Sequence, residues 1–329
     1  MIWSKARLGD VAPHLLLPAI VLAALPVMGV SNWLVLTVAG LAMGAMLFLM
    51  AAGLTLIFGL MDVLNFAHGA FITLGAYVGI GVLAPLAGWT SADSWTLNLA
   101  AFGIAVVVAM AVSGAVGYGF ERVIIRGVYG APLRQVLVTV GGLIVAQQLF
   151  VVLWGPNAIP LIKPTAFRGS ILLGSAAIEK YRLVALALGL VVFVALHLML
   201  NRTRVGLLVR AGVENREMVE ALGYRIRRLF IGVFVLGTAL AGIGGVTWAL
   251  YQELVTPQIG GDMTILVFII LIIGGLGSVG GSLVGAMLVG LTANYVGFLA
   301  PTVSLGSNIL LMVLVLLWRP RGLFPVAKG

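Results

Sequence analysis

Long apolar stretches alternate with short polar connections along the whole chain, and each stretch has the length of a bilayer crossing. The runs cover 15–30, 33–60, 66–86, 97–120, 135–154, 183–200, 229–251, 264–277, 279–300 and 303–318. Each approaches the roughly 20 apolar residues that a membrane-spanning helix needs. They predict an all-α polytopic membrane protein with about ten transmembrane helices. Glycine interrupts several runs, most densely at Ile273-Gly274-Gly275-Leu276-Gly277-Ser278-Val279-Gly280-Gly281. Irregular backbone is tolerated at membrane depth only where it packs on protein or lines a wet cavity, so some helices are expected to be short or broken. No segment is long and polar enough for a separate soluble domain, and 1–329 reads as a single transmembrane domain.

The first run follows Lys5 and Arg7 and so imitates a signal peptide. Asp10, Pro18 and Pro26 spoil that pattern, no clear small-x-small cleavage site precedes the run that begins at Trp33, and an uncleaved first helix is expected.

Composition agrees with a lipid solvent. Hydrophobic residues make up 62% of the chain and charged ones 9%, against roughly 25% charged in soluble domains. The net charge of +9 sits in the connections between apolar runs, which is a topology signal and speaks against nucleic acid as a partner. Arg122, Arg126 and Arg134 fall in one connection, and Arg202, Arg204, Arg210, Arg216, Arg225, Arg227 and Arg228 in another. Together with Lys5, Arg7, Arg319, Arg321 and Lys328 they predict cytoplasmic N- and C-termini. The connections 88–96, 252–262 and 297–302 carry no Lys or Arg and fall on the other side. The connection 155–182 dissents: it should be external, yet it holds Lys163, Arg168, Lys180 and Arg182. Its prolines and the stretch Ser170-Ile171-Leu172-Leu173 suggest a turn-rich external cap with a short hairpin.

Two segments attract functional readings. Within the cytoplasmic segment of about 201–228, Glu214, Asn215, Arg216, Glu217, Met218, Ala221, Leu222 and Gly223 read as a short amphipathic helix. Glu214 and Glu217 suit its N-terminal dipole, Met218 and Leu222 share one face, and Gly223 is a natural stop. Such a helix either lies on the lipid surface or docks in a groove of another protein. The second segment holds Asp62, Asn65 and His68, polar residues flanked by apolar spans and therefore candidates for a translocation pathway. If the helix continued through them, three-residue spacing would align them in one stripe; alternatively, Asp62 and Asn65 cap the next helix in a short turn. A weak internal echo links 58–76 with 273–286, and transporters are often built from such repeats. Glu253 and Asp262 are expected to be solvated acids of an external loop, or contacts for an external partner.

The stretch Gly53-Leu54-Thr55-Leu56-Ile57-Phe58-Gly59-Leu60-Met61-Asp62-Val63-Leu64-Asn65-Phe66-Ala67-His68-Gly69 resembles the permease family of branched-chain amino acid ABC transporters. So do Leu74-Gly75-Ala76-Tyr77, the 214–223 segment, Ala239-Leu240-Ala241-Gly242-Ile243-Gly244-Gly245 and Gly274-Gly275-Leu276-Gly277-Ser278, in the same order. The resemblance is to the first of the two paired permease types, the LivH-type subunit. It implies a bacterial inner-membrane importer with a second permease subunit, two cytoplasmic ATPases carrying ATP and Mg, and an external substrate-binding protein. Under it the 214–223 segment becomes the coupling helix. Urea or short-amide permeases look similar, and a self-sufficient channel or carrier is the reading from outside the class.

Absences narrow the chemistry. There is no cysteine, no phosphate-binding Gly-x-x-x-x-Gly-Lys-Ser/Thr loop and no HExxH. His14, His68 and His197 lie at no metal-ligand spacing. No catalytic, cofactor or metal residues are expected on this chain, and the energy must come from partners.

Overall fold

A computed structural model describes residues 2–214 and 216–325, with side chains described except at 2–12, 210, 213–214, 216–217 and 305. The described residues form helices α1 (Ile2–Met28), α2 (Val30–Met61), α3 (His68–Leu83), α4 (Ala87–Thr90), α5 (Trp95–Val123), α6 (Pro132–Trp154) and α7 (Lys180–Arg202). The short α8 (Arg204–Glu214) and α9 (Arg216–Ala221) follow, then α10 (Ile226–Gln252), α11 (Ile259–Gly274), α12 (Val279–Leu299) and α13 (Ser304–Trp318). Each of the ten runs expected to cross the membrane coincides with one helix. Six are long and apolar enough to cross a membrane, and the apolar parts of α1, α3, α11 and α13 are shorter.

Small residues set the packing. α2 is the central helix, buried along most of its length against α10 and α12. Gly40 and Gly44 seat Leu291 and Met287 of α12, and Thr55 shares a 2.6 Å hydrogen bond with Ser282. In lipid there is no hydrophobic drive between helices, so close backbone approach and interhelical hydrogen bonds do the holding. The outer helices show the opposite face: Val145 and Val152 of α6 are 69% and 80% exposed, and Val191 of α7 is 65% exposed.

Two pairs of elements run in opposite directions through the core. α2 and α10 are antiparallel, with Gly53 against Gly237 and Met50 against Gly244. Each ends in a non-glycine residue of left-handed conformation, Asp62 at φ 54° and Glu253 at φ 56°. That residue is the first of six connecting residues, which lead to a 16-residue helix, α3 or α11. The connections turn back along the helices they leave. His68, the first residue of α3, bonds to Met50, which is eleven residues before the end of α2, or about 16 Å along the helix axis. On the other side Gly75 faces Gly242 and Gly79 faces Val246, so α3 runs parallel to α10. Thr73, which lies between Ile72 against Gly245 and Gly75 against Gly242, bonds to the second residue of α11, Gly260, and this contact lies roughly 10–15 Å inward of the end of α10. Both connections therefore re-enter the protein interior, and α3 and α11 meet first turn to first turn. The internal echo expected between 58–76 and 273–286 is not the one the packing shows: 275–278 is a tight turn between α11 and α12, with Gly274 against Gly281.

The connection 155–182 folds into a cap. Its hairpin pairs β2 (Ser170–Leu173) with β3 (Ala176–Glu179). A second ladder joins β1 (Ile159–Pro160) to β4 (Leu254–Val255), directly after Glu253.

Candidate functional site

The meeting of α3 and α11 rests on two glycines. A methyl group on Gly69 would strike the Gly260 carbonyl, and one on Gly260 would strike the Gly69 carbonyl. Thr73 Oγ1 accepts from the Gly260 N–H at 2.9 Å, while Thr264 Oγ1 donates to the Gly260 carbonyl at 2.6 Å. Gly-x-x-x-Thr therefore recurs on both helices, 69–73 and 260–264, in antiparallel contact.

The α2–α3 connection separates the three predicted pathway residues. Asp62 stays on the surface, its N–H bonded to Phe58 O at 2.9 Å as the cap that ends α2. Asn65 is wholly buried, and neither its amide nitrogen nor its amide oxygen finds a hydrogen-bond partner among the described residues. His68 is also buried, with Nε2 2.9 Å from Met50 O. A carbonyl only accepts, so Nε2 carries the proton and Nδ1 is left as an acceptor with no partner among the described residues. The chain breaks between Met61 and His68, so the three residues do not form one helical stripe; Asn65 and His68 lie deep and Asp62 at the rim. The N-cap of α3 is Ala67, not Asp62 or Asn65. Phe66 wedges the turn, donating its N–H to Thr139 Oγ1 at 3.2 Å and stacking on Phe268 at 4.5 Å.

The α10–α11 connection is held by charge. Lys163, 6% exposed, places Nζ 2.6 Å from Glu179 and 3.0 Å from Glu253. Arg182 reaches the other Glu179 oxygen at 3.2 Å. Burial pulls the Lys163 ammonium down, but the hydrogen bonds and charges of Glu179 and Glu253 more than reverse it, and its pKa stands above the ordinary lysine value. Leu161 N–H donates to Glu253 O at 3.0 Å, and Tyr181 Oη donates to Thr247 O at 2.6 Å. Sequence reasoning missed this cluster, although a signal was present. Lys163 and Arg182 depart from the charge pattern expected of their connection, and acids in the cap and at the end of α10 pair with them.

The predicted amphipathic helix is divided. α8 ends at Glu214 and α9 runs from Arg216 to Ala221; Asn215 lies outside the described residues, as do the side chains of Glu214, Arg216 and Glu217. Met218 and Leu222 are 53% and 69% exposed, Ala221 is exposed, and Val219 at 2% is the residue that seats α9 on the protein. Gly223, at φ 85°, ends the segment by donating to Glu220 O at 2.9 Å. Beneath it an apolar cavity of about 590 Å³ opens between Met199, Val209, Val219 and Leu236. No group of three His, Cys, Asp or Glu side chains forms a metal site among the described residues.

The family described as branched-chain amino acid transport system, permease component, matches residues 36–318. This chain belongs to that permease family. The match begins in α2 and runs through α13, so it covers both re-entrant connections and the α8–α9 segment, while α1 lies outside it. The permease protein LivH of the high-affinity branched-chain amino acid transport system of Salmonella typhimurium is 29% identical over 291 residues, 86% of this chain and 92% of that protein. BraD of Pseudomonas aeruginosa is 29% identical over 293 residues, 86% and 93% of the two chains. LivM of Escherichia coli K12, another permease protein of such a system, is 27% identical over 306 residues, 85% of this chain and 68% of that protein. No solved structure matches the permease at a significant level. Its multi-pass character follows from the family together with the apolar helices.

Proposed function

We propose that the permease is the membrane-spanning subunit of an ATP-driven importer of branched-chain amino acids in a bacterial inner membrane. The observation that carries this reading is the family match over both re-entrant units, since paired, oppositely directed broken helices meeting at depth are the arrangement around which alternating access is built. The end bearing Arg122, Arg202, Arg204 and Arg225 faces the cytoplasm, and so do both termini. The Lys163 cap faces outward. LivH and LivM are both permease proteins of branched-chain systems and both resemble this chain, which supports a second permease as partner. Two ATPases, holding ATP and Mg, and an external binding protein complete the importer.

In this scheme the segment Glu214, Asn215, Arg216, Glu217, Met218, Ala221, Leu222 and Gly223 docks on an ATPase. Its exposed apolar pair, Met218 and Leu222, enters the groove while Val219 keeps the helix tied to the membrane core. The amino acid passes beside the α2–α3 connection from Asp62 inward. The polar atoms of Asn65 and His68 that lack partners gain them when that connection opens to water or solute.

The test is copurification from the native membrane followed by ATPase assays with binding proteins loaded with leucine, urea or nothing. Recovery of ATPases and a second permease with leucine-specific stimulation supports the proposal; stimulation by urea alone makes the protein a urea permease, and solute transport by the chain alone removes the ATP-driven reading. Met218→Ala with Leu222→Ala is expected to lower uptake per ATP about tenfold while insertion is unchanged, as for loss of a paired apolar anchor.

A further inference from the structure

Where α5 ends and α10 begins, four arginines surround one open cavity of about 780 Å³. Arg122 comes from α5, and Arg225, Arg227 and Arg228 from the start of α10. Tyr118 and Tyr224 flank it, with Arg122 donating to Tyr118 Oη and lying over its ring at 5.7 Å. Among the described residues none of these arginines forms an ion pair, and the one carboxylate that lines the cavity is Glu220. Four like charges held this close repel one another unless an anion sits among them.

The surroundings say what kind of anion. The cavity is part apolar, with Ile226 and Ile231 in its wall, and Val123, the residue that follows Arg122 at the end of α5, is 81% exposed. A soluble anion would use the arginines and leave this surface bare, whereas an anion with acyl chains uses both. Tyrosine at the edge of the apolar zone marks headgroup level. Guanidinium groups pair with phosphate oxygens through parallel hydrogen bonds, which lysines at these positions would not provide.

We propose that this cavity binds the phosphodiester headgroup of an anionic phospholipid, with the acyl chains along the outer face of α5. Glu220 sets the preference within that class. Its carboxylate accepts a hydrogen bond from a headgroup hydroxyl and repels a doubly charged phosphomonoester, which selects a glycerol-type headgroup. Glu220 and Tyr224 bracket the end of α9, so the bound lipid braces the turn that joins α9 to α10.

The experiment is native mass spectrometry of the full chain released from nanodiscs of equal phosphatidylglycerol and phosphatidylcholine. The wild type is expected to retain phosphatidylglycerol selectively, and millimolar inorganic phosphate is expected not to displace it. The triple variant R225Q/R227Q/R228Q should lower that retention by about tenfold or more, Arg122→Gln by less, and Arg134→Gln, at an exposed arginine outside the cavity, not at all. Equal retention of both lipids by the wild type overturns the proposal without needing any variant to fold. Displacement by inorganic phosphate makes the cavity a site for a free anion instead. A triple variant that keeps its lipid but no longer recovers a partner protein makes it a protein-docking surface, and the lipid assignment falls.

Discussion

At the α2–α3 connection residues 62–67 carry the chain back into the helix bundle, and at the α10–α11 connection residues 253–258 do so from the opposite end. Both start from an acidic residue in the left-handed conformation and both deliver a glycine to the same contact, Gly69 against Gly260. Their fastening differs. The second is tied down by a β-ladder, by the Lys163 ion pairs and by Leu161 on the Glu253 carbonyl. The first is wedged by Phe66 and, among the described residues, leaves Asn65 and one nitrogen of His68 without partners. Two connections of like backbone can thus differ in stability, and the one with unsatisfied buried groups is the one with something to gain by moving.

The comparison breaks most severely if the shared contact is lost. Gly260→Val places methyl groups against the Gly69 carbonyl and Thr73, and is expected to cost about 3 kcal/mol or more. Gly141→Val, in open space, should leave the melting temperature of the detergent-solubilised protein unchanged. A difference between the two of less than a few degrees would show that α3 and α11 do not depend on close contact. Next in size, Lys163→Met removes the ion pair to Glu253 and leaves Glu179 with Arg182 alone, and should cost about 1–3 kcal/mol. Limited proteolysis is then expected to cut within 155–182 well before global unfolding, which would make the fastened connection resemble the unfastened one.

The same lysine gives a pH dependence of fixed sign. Its pKa is raised in the folded state, so its contribution is fully present below the ordinary lysine pKa of about 10.4 and is lost as pH rises through the higher folded value. Melting temperature should fall in that alkaline window in the wild type, and Lys163→Met should lack this component. The smallest effect on stability has the opposite sign. Asn65→Leu removes a buried amide that has no partner and should leave the fold unchanged or stabilise it by about 1 kcal/mol. Under the proposed function, leucine uptake should nevertheless fall. An unimpaired uptake rate would separate Asn65 from the pathway.

The helices were legible because hydropathy reports apolar runs, and the ten runs match ten helices, six of them long and apolar enough to cross a membrane. The hairpin at Ser170–Glu179 and the stop at Gly223 also followed from local chemistry. Depth did not. Nothing in Met61-Asp62-Val63-Leu64-Asn65 states that the chain turns back about 16 Å along α2, because re-entry depends on what α2, α6 and α11 offer as walls. Glu253 is exposed, as expected of a solvated acid, but its pairing with Lys163, ninety residues earlier, could not be read from the loop. The Gly-x-x-x-Thr pair was hidden by abundance: with 44 glycines, small-residue spacing finds many false partners and the packing alone selects the true one.

The burial of α2 also sets a schedule for biosynthesis. Thr37 and Thr55 on α2 find Tyr295 and Ser282 on α12, separations of 258 and 227 residues. At ribosomal speeds of about 5–20 residues per second, α2 waits roughly 10–50 s before those partners exist. Through that interval the most interior helix of the finished protein must stand in lipid or beside an insertion factor, with its glycine-lined grooves still open.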